Sequence, residues 1–226
     1  MMNIFDNDIM FNRYTNLDGI EWRIIEALVK SDSKYAKLLW KMLKYDVPDC
    51  ISNPEENKDL TTKERYSLIY RDMGEASGKK VFMLPFIDDS WTDQSSRLNI
   101  YVERVDPYNY VVSKVNVCFE IVVHNKINNI YGDADEDNSS TNPTEIDSDG
   151  NIVIKSKSRA TTMLKCICAL FNGMYIEGVG ELALNQQASP YCGVRSYVWN
   201  NRSYFGYAVT FSTLMGQVSE TPDMGW

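Results

Sequence analysis

The chain has a single histidine, His124, and that scarcity removes any zinc centre built on histidine pairs. Its five cysteines, Cys50, Cys118, Cys166, Cys168 and Cys192, are odd in number and form no C-x-x-C pair. They fall inside apolar patterns and read as reduced core thiols, so a reducing cytoplasm is the expected setting. No window approaches the run of about 18 apolar residues that spans a bilayer. The opening MMNIFDNDIMFNRY carries acids and no signal-peptide core, so neither secretion nor a membrane is expected. Basic side chains are outnumbered as well: 23 Lys and Arg stand against 31 Asp and Glu, a net charge of −8. Grip on nucleic-acid backbones comes from clustered cations, so specific DNA binding by the chain as a whole is not expected. A G-x-S-x-G elbow is missing too, and Cys192 has no local nucleophile signature.

What is present describes a globular chain. Its 226 residues suit one sizeable domain, or a domain with a helical appendage, and 44% of them are hydrophobic. Aromatics are plentiful, with 14 Tyr, 8 Phe and 5 Trp. Up to residue 75 the pattern is helical. Asp18 and Glu21 suit a capping box on a helix with Leu17, Ile20, Ile24, Leu28 and Val29 along one face. A second helix is predicted from Ser33 to Tyr45, with a stripe of Tyr35, Leu38, Leu39, Met42 and Leu43, before Pro48 forces the chain out of helical geometry. Thr61 and Glu64 predict a capping box on a third helix carrying Tyr66, Ile69, Tyr70 and Met73.

From Val81 the period becomes alternating. VFMLPF is short and broken by Pro85, RLNIYVERV reads as a strand, and Asp106 to Asn109 read as the turn of a hairpin. In the returning strand the odd positions 111 to 123 are mostly apolar, while the even positions include Lys114, Asn116, Glu120 and His124. One face should be buried and the other should meet solvent or a neighbour. A helix is predicted from Arg159 to Asn172, with Ala160, Met163, Leu164, Ile167, Cys168 and Phe171 on its apolar face. MYIEGVGELAL and SYFGYAVTF then read as two closing strands, separated by a Tyr- and Asn-rich connection. The predicted class is α+β: N-terminal helices, then a mainly antiparallel sheet with one amphipathic helix across it, in the order β-β-α-β-β. The expected division is a helical segment 1–75, an α+β domain 76–215 and a tail 216–226.

Between the two halves lies GDADEDNSSTNPTEIDSDG, residues 132–150, with seven carboxylates and no basic side chain. These are Asp133, Asp135, Glu136, Asp137, Glu145, Asp147 and Asp149. An EF-hand register starting at Asp133 fails, because its sixth position is Asn138 rather than Gly and its twelfth is Thr144 rather than Glu. The segment reads as a solvated inserted loop, and no metal site is assigned. GVGELA, residues 178–183, spells a dinucleotide fingerprint, but a helix precedes it and a strand follows, the reverse of what a pyrophosphate needs. GEASGKK, residues 74–80, has its glycines one residue too close for a phosphate loop. His124 reads as a hydrogen-bonded structural residue. Paired carboxylates such as Asp88 and Asp89 suit acid and base work but are common at loop starts, and Asn138 and Asn201 begin chance N-x-S sequons. No catalytic residue and no cofactor are assigned.

Several segments in order carry a resemblance. KLLWKMLKYDVPDC (37–50), LTTKERYSLIYRDM (60–73) and MLPF (83–86) are followed by FEIVVHNK (119–126), the helix from Arg159, IEGVGELAL (176–184) and YFGYAVTF (204–211). Together they resemble the neck or tail-completion proteins of tailed bacteriophages, the head-tail connectors and tail terminators. The resemblance implies a non-enzymatic virion protein, assembled in the host bacterial cytoplasm. It implies a cyclic homo-oligomeric ring around the DNA channel, in contact with other neck, portal-adaptor or tail proteins. In such a ring the acidic loop faces either the channel, repelling phosphates so that DNA slides, or a partner outside. Two other classes compete: a small-molecule or peptide binding module, and a carboxylate hydrolase using Asp88 and Asp89.

Overall fold

The alternation from Ser96 onward builds the centre of a five-stranded sheet. In the computed structural model, which describes residues 19–47, 50–51, 58–71, 76–85, 93–108, 112–131, 144–146, 152–154, 156–186, 190–198 and 203–216, the long strands β2 (Ser96–Pro107) and β3 (Val112–His124) form the predicted hairpin. Outside them lie β1 (Val81–Phe82) on one side and β11 (Tyr204–Gly216) then β10 (Gly193–Val198) on the other, in the order β1-β2-β3-β11-β10. All pairs are antiparallel except β1 with β2. The α+β class and the mainly antiparallel sheet stand as read from the sequence.

Among the described residues three short ladders lie outside this sheet: β4 (Asn129–Tyr131) with β7 (Ser156–Ser158), β5 (Thr144–Ile146) with β6 (Ile152–Ile154), and β8 (Met174–Ile176) with β9 (Gly180–Leu182). The last corrects the sequence reading of MYIEGVGELAL as one strand. Gly178 and Gly180 have φ of 76° and 102°, values that glycine tolerates, and the chain reverses between them. A Cβ on Gly180 would stand 2.7 Å from Thr213 Oγ1 and 3.0 Å from the Leu214 carbonyl oxygen, so the hairpin sits hard against β11. β10 is an addition, a strand inside the Tyr- and Asn-rich connection between the two closing strands.

One face of the sheet is covered by helices α1 (Ile20–Lys30), α2 (Lys34–Lys44) and α4 (Arg159–Phe171), with the short α3 (Thr62–Ser67) beside α1. The α4 helix presents Ala160, Met163, Cys166, Ile167 and Phe171 to the sheet. Phe119, Phe171 and Phe211 meet there with ring centroids 4.8 and 5.3 Å apart. Helix α1 buries Ile20, Ile24, Ile25, Leu28 and Val29. Its cap differs from expectation: Gly19 is the N-cap with no side-chain bond, while Leu17 and Asp18 lie outside the described residues. Glu21 instead accepts from the Val102 N–H at 3.1 Å, next to the bulge at Glu103 where β2 shifts register against β3.

In α2 the Ser33 cap is as expected, its Oγ accepting from the Ala36 N–H at 3.2 Å. The buried face is rotated relative to the predicted stripe, to Ala36, Leu39, Trp40, Met42 and Leu43, and Tyr35 is exposed. Trp40 decides this, since its indole N–H reaches the Leu28 carbonyl at the end of α1. The Thr61–Glu64 capping box is present in α3. The helix stops at Ser67, however, because Leu68 to Tyr70 bond to Lys80 and Val81, and Ile69 bridges Val81 in parallel. Ile69 and Tyr70 therefore close the β1 edge instead of extending a helix.

Two buried arginines tie these layers together. Arg65, 3% exposed, donates to the carbonyls of Val29, Ser31 and Leu60 at 2.8 to 3.1 Å, satisfying the last turn of α1. Arg159, fully buried, does the same for α2: it donates to the carbonyls of Met42, Tyr45 and Val47 and to Ser96 Oγ. Asp46 adds a clamp, receiving Lys80 Nζ at 2.6 Å and the Ser96 N–H at 3.3 Å. Apolar residues of the helices and of the sheet belong to one continuous core.

Candidate functional site

The helix-free face of the sheet concentrates the polar chemistry. Both faces of β3 are buried, so its even positions meet neighbours rather than solvent: Asn116, Cys118 and Val122 are 0% exposed and Glu120 5%. The central position of β3 between β2 and β11 explains this, because flanking side chains close over it from both sides. On this face Asn99 Nδ2 donates to Glu120 Oε2 at 3.0 Å. Thr210 Oγ1 donates to Glu103 Oε2 at 2.9 Å, and Arg195 Nη2 donates to Glu103 Oε1 at 2.8 Å. Cys118 lies between Tyr101 and Thr210, its register partners on β2 and β11. Asn116 sits in the same row, opposite Ser212, and among the described residues neither its Oδ1 nor its Nδ2 has a partner.

This arrangement holds protons rather than moving them. Burial pushes the Cys118 thiol up to about 11 and raises the Tyr101 phenol as well, so both are neutral at physiological pH. An unionised thiol is a poor nucleophile, and the one imidazole of the chain lies six residues further along β3, about 20 Å away. His124 itself caps the 3₁₀ turn Asn125–Ile127: its Nδ1 accepts from the Lys126 N–H at 3.2 Å and its ring stands edge-on to Tyr204. Desolvation and the neighbouring Lys126 hold it below its usual pKa. Its Nδ1 is thus an acceptor in the neutral ring, a structural role like the one read from its position.

The other sequence candidates fall elsewhere. Of the seven carboxylates, Glu145 lies in β5 with its backbone paired to Val153, and the other six lie outside the described residues. Asp88 and Asp89, and the sequon residues Asn138 and Asn201, also lie outside them. The GVGELA glycines form the β8–β9 turn, and Lys80, at the end of GEASGKK, is the partner of Asp46. Cys192 is buried, with its thiol 3.6 Å from the Ala183 carbonyl oxygen. Among the described residues no three His, Cys, Asp or Glu side chains converge as a metal ion requires. The buried arginines were missed by sequence reading. Arg159, at the positive end of α4 where the macrodipole disfavours a cation, is the one that carried a signal.

Among the described residues no helix is long and apolar enough to cross a membrane. The family model of YomW matches residues 37–213, more than three-quarters of the chain. No curated protein and no solved structure matches the chain.

Proposed function

Because the chain belongs to the YomW family, which is phage-derived, we propose that it is a non-enzymatic structural subunit of a phage virion. In this reading it forms a ring by cyclic self-association around the DNA channel where head meets tail. The observation that carries the reading is the asymmetry of the sheet. Its β1 edge is closed by Leu68 to Tyr70, whereas no strand among the described residues pairs with the outer side of β10. Val194 in β10, Tyr191 before it and Leu214 in β11 are each about half exposed at that side. A subunit with two unlike sides associates head to tail, and head-to-tail contacts that close make rings. The arginine-locked helices supply a stiff body for such a contact. Its neighbours are other neck, portal-adaptor or tail proteins, DNA passes without specific binding, and no residue is assigned catalysis.

A binding module would need a concave apolar pocket. The hollow between the α1–α2 corner and the end of α4, lined by Leu28, Tyr35, Leu170, Phe171 and Met174, has a volume of about 270 Å³. That is below the roughly 300–1,000 Å³ of ordinary ligand sites, so this hollow does not favour that reading. Labelling a tagged chain in purified virions tests the assignment. A ring of label at the head–tail junction is expected; virions without the protein would overturn it.

A further inference from the structure

The four lysines of α2, Lys34, Lys37, Lys41 and Lys44, follow one another at three- and four-residue intervals and so line one side of the helix. The side opposite buries Ala36, Leu39, Trp40 and Leu43. The stripe is about 15 Å long. Lys34 and Lys44 are exposed, and Lys37 and Lys41 are half-buried around a single carboxylate, Asp59, at 3.5 and 2.9 Å. A cationic last turn suits a helix dipole, so Lys41 and Lys44 need no further reason. Lys34 does: it stands in the first turn, at the positive end, with no acid in that turn to offset it. Lys37 beside it shares the single carboxylate of Asp59 with Lys41, so the stripe as a whole keeps an excess of positive charge for an added anion.

The same chain supplies the complementary anion, seven carboxylates in residues 132–150 without one cation. That segment leaves the body at Asn129 and rejoins it at Ser158, beside the C-terminal end of α2, because Arg159 donates to the Tyr45 and Val47 carbonyls. Within it the strands β5 and β6 pair as a two-stranded ladder. A two-stranded ladder of this kind is marginal by itself and gains from docking. We propose that the α2 lysine stripe of one copy docks the acidic segment of a second copy. This rests on the ring reading and gives it a heterologous contact, stripe to acid arm, which each copy both offers and receives.

Sedimentation velocity at low and high salt tests it with two variants, Lys34→Glu with Lys37→Glu, and the seven carboxylates changed to their amides. Each variant alone should associate at least tenfold more weakly than the parent, and the parent itself should weaken in salt. Mixed together, the variants keep one working contact and should stop at a heterodimer. Glutamate in the first turn of a helix is favourable, so folding, followed by circular dichroism, should survive the lysine changes. A mixture that stays monomeric while the parent assembles overturns this contact and leaves the ring. A parent that never assembles overturns both. Binding of labelled duplex DNA that is lost with the lysines and kept by the amide variant assigns the stripe to nucleic acid and overturns the proposal.

Discussion

Replacing Arg159 by methionine tests whether a buried cation holds the helices to the sheet. Methionine keeps most of the side-chain volume, so the change removes charge and hydrogen bonds without opening a large cavity. The carbonyls of Met42, Tyr45 and Val47 and the Ser96 hydroxyl lose their donor. Each buried acceptor left unpaired costs about 1–3 kcal/mol. Against that, a buried guanidinium carries a desolvation penalty of several kcal/mol, which methionine does not. Among the described residues no carboxylate bonds the guanidinium, and Asp46 pairs with Lys80 instead. The balance is a loss of about 2–4 kcal/mol. In a domain of this size it corresponds to roughly 4–16 °C in Tm. Urea unfolding followed by tryptophan fluorescence should show a lower midpoint at unchanged slope, with Trp40, on the helix that Arg159 caps, reporting directly. A loss below about 1 kcal/mol, or a gain, would show that hydrocarbon serves the site equally well and would refute the lock.

Three further outcomes follow from the same packing. Replacing Asn116 by valine removes two buried, unpartnered polar atoms from the central strand and should stabilise the fold by about 1–3 kcal/mol in denaturant titrations; destabilisation would mean that the amide has a partner. Burial pushes Cys118 up to about 11 and Cys166 up to about 12, so iodoacetamide at mildly alkaline pH should leave both unmodified in the native protein and label both after unfolding, as read by mass spectrometry. For His124 the folded pKa lies below the unfolded one, so the unfolded state takes up a proton first as pH falls. Stability should therefore drop as pH passes down through the usual imidazole range, and a His124→Asn variant should show a shallower drop; equal slopes would contradict the assignment.

Much of the fold could be read from local chemistry. The Ser33 cap, the Thr61–Glu64 capping box and the α4 stripe each rest on interactions within a few residues, and each is found where the sequence puts it; the hairpin is also found, but Asp106 and Pro107, read as its turn, belong to the β2 ladder. What escaped depends on distant partners. Nothing near Arg65 or Arg159 says that a helix end will arrive to accept its protons. The α2 face is set by Trp40 reaching α1, and the end of α3 by a strand contact of Ile69. β10 stays hidden because its residues Gly193 to Val198 lack an apolar face of their own and gain strand geometry only against β11. On the candidate face, the even residues of β3 look like solvent-facing polar positions. Only the pairing of β2 and β11 on either side turns Asn99, Cys118, Glu120 and Thr210 into a buried network.

The mass of the purified protein across a concentration series tests the central claim most directly. A structural ring subunit should give one discrete assembly at high concentration, a whole-number multiple of the 26.0 kDa chain, with a central hole in electron micrographs. A chain that stays at 26.0 kDa at every concentration and at low salt would contradict it.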